Sequence, residues 1–434
     1  MKNSKKIIAL FGAIITLFSI FLGGSAVAET EDYSSSECAS TAEYILSNLD
    51  SFASEYNRSI DTKGGDAEKI TFKATSCEFE APVYIAEYDN YGIYLDFDGD
   101  NGYMIVTGEN EAIAFEAKGD LEYLRDMENF HYSIYDGFLV DDGNGEFVPY
   151  ISILNPQISD ISYDGSVPVD YNASVKGTPA AGNDGGFERA IDAVTVNHGS
   201  GWQSYQSKSL KNFEYWKQDD MSIYNHYENN HYIYEGNCAL SSIFADLNYL
   251  ATSGKYPGLP RSTSKVTHKA ENDKFYYKYA NNPKYDIKTQ KRIPTLYYYI
   301  RKYAIDNLGY ETGHENAIKF GNLPGIVAAI GKKYTKGLTV NQTIFGSYQT
   351  IMNEIHAGYP VLFGVSNSST YGTHEMVITG YHIFKKEITI LGIKITHYSQ
   401  VLRVNDNWVK KERYFDLPYF VSLIGRFYVI TTIR

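Results

Sequence analysis

Apolar residues recur at steps of three and four between positions 240 and 250, where Leu240, Ile243, Phe244, Leu247 and Leu250 mark a helical face closed by Gly254 and Pro257. Asn237 stands just ahead as an N-cap residue, so the pattern predicts a helix with Cys238 in its first turn. A helix is also predicted over Ser40 to Tyr56, and strands over Pro82 to Ala86 and Gly102 to Val106, with acidic turn residues at Asp96 to Asn101. Farther along, Ile351 to Ile355 reads as a helix end, His356 to Tyr359 as a turn and Pro360 to Val365 as a buried strand. Further strands are expected from His374 and over Val401 to Asn405.

The order of these elements divides the chain. Residues 29–156 read as one small α+β unit. Residues 157–201 are rich in Gly, Ser, Pro, Asn and Asp, and Lys176 to Gly182 has no apolar period, which predicts a linker and a processing site. Residues 202–434 run helices first and strands from Tyr359 onward, the order of an α+β domain with two lobes. No internal repeat of fixed period is present.

Residues 1–28 add a compartment. Lys2, Lys5 and Lys6 precede an apolar run from Ile7 to Leu22, and Ser25-Ala26-Val27-Ala28 follows, the pattern of a secretory signal cut after Ala28. The run has about 16 residues, short of the roughly 20 of a spanning helix. The expected product is therefore secreted, extracellular and bacterial, with no membrane anchor after signal cleavage. The formal charge of -13 and the scattered basic residues argue against a nucleic-acid partner. The 40 tyrosines, many in polar stretches, suit a secreted surface.

Three cysteines are an odd number for an exported chain. Cys38 and Cys77 are close enough in sequence to pair, which would leave Cys238 as a reactive thiol; a small buried hydrophobe is the plainer alternative. In a first helical turn, free N–H groups and the helix dipole favour a thiolate at Cys238. Upstream, Gln218 in Trp216-Lys217-Gln218 is a candidate amide donor to an oxyanion, beside the Cys238 N–H.

His374 opens a strand directly after a Ser/Asn/Tyr loop, where a base can meet a cleft. Val404-Asn405-Asp406-Asn407-Trp408 ends a strand in a group able to orient an imidazole. Asp406 would act as a carboxylate, Asn405 or Asn407 as a neutral acceptor, with Trp408 as a screen. A surface imidazole and an ordinary Asx-rich turn explain the same letters. Zinc spacing is missing: His374-Glu375 has no histidine at i+4, and His226 and His231 have no accompanying cysteine. No metal or cofactor is expected.

Taken together, Trp216-x-Gln218, Cys238-Ala239 opening a helix that runs to Lys255-Tyr256-Pro257, Gly358-x-Pro360-Val361, His374-x-x-Val377-x-x-Gly380-Tyr381 and Val404-Asn405 near Trp408 resemble papain-fold cysteine peptidases, most closely the streptopain type. His374 also falls within the interval of roughly 130–150 residues downstream of the nucleophile in papain-like enzymes. Gly102 to Gly108 looks like part of that family's pro-domain. The sequence departs from the family at Asn237, where Gly is expected, and in Asn405-Asp406-Asn407-Trp408 in place of Asn-Trp-Gly-Trp. The resemblance implies a papain-like two-lobed catalytic domain preceded by a small α+β pro-domain. It implies a secreted cysteine endopeptidase made as a zymogen, with Cys238 as nucleophile, His374 as base, Gln218 at the oxyanion and Asp406 favoured over Asn405 as orienter. Protein or peptide would be the substrate, and the pro-domain an intramolecular inhibitor. Two alternatives remain open on the sequence: a cell-wall amidase or transglutaminase of the same Cys/His order, with His382 or His397 orienting the base in an amidase, and a non-catalytic binding protein.

Overall fold

A computed structural model describes residues 33–61, 71–99, 101–116, 131–141, 147–150, 184–228, 231–234, 236–311, 318–422 and 426–434. The expected signal segment and the expected linker up to residue 183 lie outside the described residues.

The fold is α+β. Helices Tyr33–Ser47 and Leu49–Asp61 lead into strands β1 (Cys77–Ile85), β2 (Asn90–Phe97), β3 (Tyr103–Gly108), β4 (Glu111–Glu116), β5 (His131–Ser133), β6 (Gly137–Asp141) and β7 (Phe147–Pro149). Helix Ala190–His198, β8 (Gln203–Ser209), β9 (Tyr224–Glu228) and β10 (His231–Tyr234) precede the Cys238 helix, Cys238–Thr252. Strands β11 (Lys265–Lys269), β12 (Tyr285–Ile287) and β13 (Gln290–Pro294) are short and build two small separate sheets with β9 and β10. Helices Thr295–Leu308 and Leu323–Tyr334 follow. After them come β14 (Val340–Ile344), helix Tyr348–Ala357, β15 (Val361–Ser368), β16 (Gly372–Ile390), β17 (Ile393–Asn405), β18 (Arg413–Asp416) and β19 (Phe427–Ile433).

One sheet crosses the molecule in the order β14-β19-β15-β16-β17-β4-β3-β2-β1-β5-β6-β7, with β8 on β16 and β18 on β17. The long β16–β17 hairpin joins the halves: at its open end it carries His374 and Asn405, and at its tip β17 pairs in parallel with β4 through Lys394 opposite Glu111 and Thr396 opposite Ile113.

The Cys238 helix forms where the apolar period placed it, but it is buried on every side from Ala239 to Ala251, so Ser241, Ser242, Asp246 and Asn248 are interior as well. The sequence pattern had predicted a half-exposed amphipathic helix. It lies instead between the sheet and the helix Thr295–Leu308, inside the largest apolar cluster of the chain.

The expected linker is shorter than its composition suggested. Asp184 to His198 is built into the C-terminal half: Phe187 bridges to Tyr414, and Ala193 and Val194 are fully buried against Val401 and Phe384. Gly185 fits there because a Cβ would meet the Tyr371 ring at 2.5 Å. Cys38 and Cys77 share an apolar cluster yet both are free thiols, so the pairing that the sequence left open is absent. Burial pushes the first up to about 11 and the second to about 12.

Candidate active site

The site is assembled where the N-terminus of the Cys238 helix meets the start of β16 and the end of β17. Asn237 holds the N-cap position, but its side chain does not cap the helix. Its amide donates instead to the Tyr297 hydroxyl at 2.8 Å and to the Gln218 carbonyl at 3.3 Å. The Gln218 N–H donates to the Asn407 carbonyl at 2.9 Å. Gln218 is thus pinned by its backbone between the residue before Cys238 and the strand end that carries Asp406.

Cys238 keeps partial exposure, yet it lies deep in the protein, with its thiol against the backbone of Glu375, the residue after His374. Burial pushes the thiol up to about 11. The N–H groups of Glu375, Ala239 and Cys238 offset part of that rise, and the negative charge of Glu375 adds to it. The sequence argument from the helix dipole expected a thiolate; desolvation outweighs the dipole here.

His374 is 5% exposed, and burial pushes its imidazole down to about 4. Its Nε2 meets the backbone carbonyl of Asp406 at 2.7 Å. A carbonyl only accepts, so Nε2 carries the proton and Nδ1 is the basic nitrogen. Tyr371 stacks on the imidazole at 5.5 Å and 9°, and the Trp408 indole lies 5.3 Å away, so aromatic faces screen the ring from water.

Asp406 therefore meets the base through its main chain rather than through the carboxylate that the sequence favoured. Its carboxylate accepts from Trp408 N–H at 3.0 Å, from Val409 N–H at 3.2 Å and from the Tyr371 hydroxyl at 3.3 Å. These bonds shape the turn that aims the carbonyl. Burial raises the carboxyl above its ordinary value, partly offset by those N–H donors.

Asn405 and Asn407 also act at one remove from the imidazole. The Asn405 amide donates to the Asn407 side-chain oxygen at 2.9 Å, and its own oxygen accepts from Trp216 N–H at 3.3 Å. The Asn407 amide reaches Ser242 Oγ at 2.7 Å, the Glu375 carbonyl at 3.1 Å and the Cys238 carbonyl at 3.4 Å. One fully buried amide thereby ties the Cys238 helix to the strand that carries His374. Its φ of 61° is a left-handed value that Asn tolerates well.

Sequence reasoning missed Asp184 and Tyr371. Asp184 is fully buried and accepts from Ser368 Oγ at 2.9 Å, Ser369 N–H at 3.0 Å and Thr370 N–H at 3.2 Å, and it pairs with Arg426 at 2.6 Å. It thereby fixes the loop that presents Tyr371 to His374. The only sequence signal was an acid followed by two glycines inside a stretch that otherwise looks like a linker.

His382 and His397 sit elsewhere. They lie along the hairpin, eight strand positions beyond His374 and opposite Lys386 respectively, roughly 26 and 40 Å away at the ordinary strand rise. His397 lines a cavity at the seam between the two halves, with Tyr132, Asp136, Tyr348 and Gln400. Among the described residues, no group of three His, Cys, Asp or Glu could hold a metal ion, and no helix is long and apolar enough to cross a membrane.

No family model, curated protein or solved structure matches the chain.

Proposed function

We propose that this chain is a secreted cysteine endopeptidase, latent in its full-length state, with its helical part and its sheet forming a papain-like pair of lobes around Cys238 and His374. The observation that carries the reading is a helix-leading cysteine whose thiol lies against the Glu375 backbone, next in sequence to an imidazole whose Nε2–H is held by a main-chain carbonyl. His374 Nδ1 takes the thiol proton as Cys238 sulfur attacks a peptide carbonyl. The resulting oxyanion accepts from the Cys238 N–H and from the Gln218 side-chain amide. Collapse of the adduct breaks the C–N bond, and the leaving amine takes its proton from His374. Water, deprotonated by His374, then hydrolyses the thioester and restores the thiol.

Two features favour a latent full-length form. The thiol and the imidazole are both neutral at pH 7, because burial moves each away from its charged form. The imidazole also lies against Tyr371 and Trp408, whose rings screen it from solvent. Residues 33–150 are the intramolecular partner of that state. The position of His382 and His397 far along the hairpin weighs against a histidine orienter, and so against the amidase alternative.

Incubating the full chain under reducing conditions, wild type beside Cys238→Ala, with intact-mass analysis of fragments, tests the reading. Cleavage by the wild type alone is expected, at a position before Asp184, since Asp184 anchors the Tyr371 loop. Equal fragmentation of both chains, or a wild type that stays intact and leaves added peptides uncut, would refute it.

A further inference from the structure

The two halves are joined by more than a covalent link. The tip of the β16–β17 hairpin belongs by sequence to the catalytic half, yet Ile390, Ile393 and Ile395 are fully buried in the core of the N-terminal half, among Phe52, Phe97 and Phe115. Next to this tip, the Lys394 N–H donates to the Asn110 carbonyl at 2.8 Å, and the parallel β4–β17 pairing makes the two sheets one.

A second, separate contact lies at the turn between β5 and β6. Asp136 points its carboxylate at the N-terminus of the helix Tyr348–Ala357. It accepts from Ser347 Oγ at 2.7 Å and from the backbone N–H groups of Tyr348 and Gln349. A residue more than two hundred positions upstream thus fills the role of a helix cap, where charge and dipole favour an anion. Nearby, the buried Gln400 amide donates to the Ile134 carbonyl at 2.7 Å.

From these contacts we infer that residues 33–150 are a permanent subunit of the catalytic half, which stays bound when the connection through residues 151–183 is cut. Departure would bare an isoleucine-rich hairpin tip and an unpaired edge of β17, both strong drivers of aggregation. It would also leave the first N–H groups of an internal helix without their acceptor. The N-terminal half grips the far end of β16, the strand whose near end carries His374, so it acts on the shape of the catalytic half from outside the cleft.

The test uses the full chain in a Cys238→Ala background, so that its outcome is independent of whether the protein is a peptidase. A recognition site for a specific protease is inserted between residues 160 and 180, the chain is cut, and size-exclusion chromatography is run from about 10 µM down to about 10 nM. Co-elution of the two fragments at about 1 µM is expected; separate elution at that concentration overturns the inference. Asp136→Ala should raise the concentration at which the fragments part by about 30-fold or more, as for loss of one partner of a buried charged hydrogen bond. Lys394→Ala, which removes only an exposed ion pair with Glu111, should change it by less than about fivefold. An Asp136→Ala pair as tight as the parent would overturn the capping role, and circular dichroism of the uncut variants confirms that each chain is folded.

Discussion

Alkylation of Cys238 in the uncut chain should be slow and governed by a single high ionisation. With the thiol near 11, about one molecule in 10,000 carries a thiolate at pH 7, against about 3% for a free cysteine near 8.5. That is a deficit of roughly 300-fold in the attacking species. The more basic sulfur is also the better nucleophile, and a Brønsted slope of about 0.45 over 2.5 units returns roughly tenfold. The net expectation is about 30-fold slower reaction than glutathione before any loss of access. The assay is iodoacetamide labelling followed by peptide mass spectrometry, with Cys38 and Cys77 replaced by Ser. The rate should climb about tenfold per pH unit from 7 to 10, and His374→Ala should leave it unchanged. Labelling faster than glutathione at pH 7, with a plateau reaching into the acid range, would show a thiolate–imidazolium pair in the uncut chain and refute the reasoning.

Other perturbations test the surroundings of the pair. Asp406→Asn keeps an acceptor for the Trp408 and Val409 N–H groups and keeps the carbonyl that holds His374, so kcat/KM of the processed enzyme should stay within about tenfold of wild type. Asp406→Ala loses both turn bonds and should fall further; an Asn variant as inactive as His374→Ala would sink the main-chain assignment. Asn407→Asp turns the amide donor into an anion facing two carbonyls and should cost about 3 kcal/mol in urea unfolding. Asp246 is fully buried without a hydrogen-bond partner among the described residues, and burial holds its carboxyl well above the ordinary range. Its cost is absent below the unfolded value of about 3.9 and grows as pH rises, so Asp246→Leu should be more stable than wild type at pH 7 by about 1–3 kcal/mol and no better at pH 3. His397, pushed down to about 4 by burial, resists protonation that the unfolded chain accepts near 6.5. Stability should therefore fall by about 2 kcal/mol from this residue as pH drops from 7.5 to 5, and His397→Phe should remove that part of the slope.

The sequence made the apolar skeleton of the C-terminal half legible because period and punctuation are local. Leu240, Ile243, Phe244, Leu247 and Leu250 mark the nucleophile helix, and the apolar run at Pro360 to Val365 marks β15. What faces those elements is set by distant residues, and there the reading failed. Ser241, Asp246 and Asn248 look like a solvated face until the sheet and the helix Thr295–Leu308 cover them. Asp184 looks like linker until Ser368 to Thr370 fold onto it. The sequence points to Asn405 to Asn407 as a group able to orient His374, but which atom reaches the imidazole depends on a turn geometry that letters do not encode. Cys38 and Cys77 show the same limit, since proximity along the chain does not set the approach of two sulfurs.

The 19 residues of β16 explain how a site and a remote domain come to depend on one another. A strand that long has three duties at different points along it. The Glu375 backbone meets the Cys238 helix, Gly380 to Lys385 pair with β8, and Ile390 enters the core of the N-terminal half. Gly364 on the neighbouring β15 shows how tightly the first region is packed, since a Cβ there would meet the Phe320 ring at 1.8 Å and the Glu375 carboxylate at 2.7 Å. Sheet hydrogen bonds resist sliding, because a shift of one residue would turn every buried side chain to the opposite face. The β16–β17 ladder runs from Ile390 opposite Ile393 back to Val377 opposite Asn405, with one register shift between Ile378 and Gly380, so a single hairpin links the buried tip to the strand that carries His374. A change at Ile393, which sits in the N-terminal core at the hairpin tip, should consequently be felt at His374 through the hairpin itself.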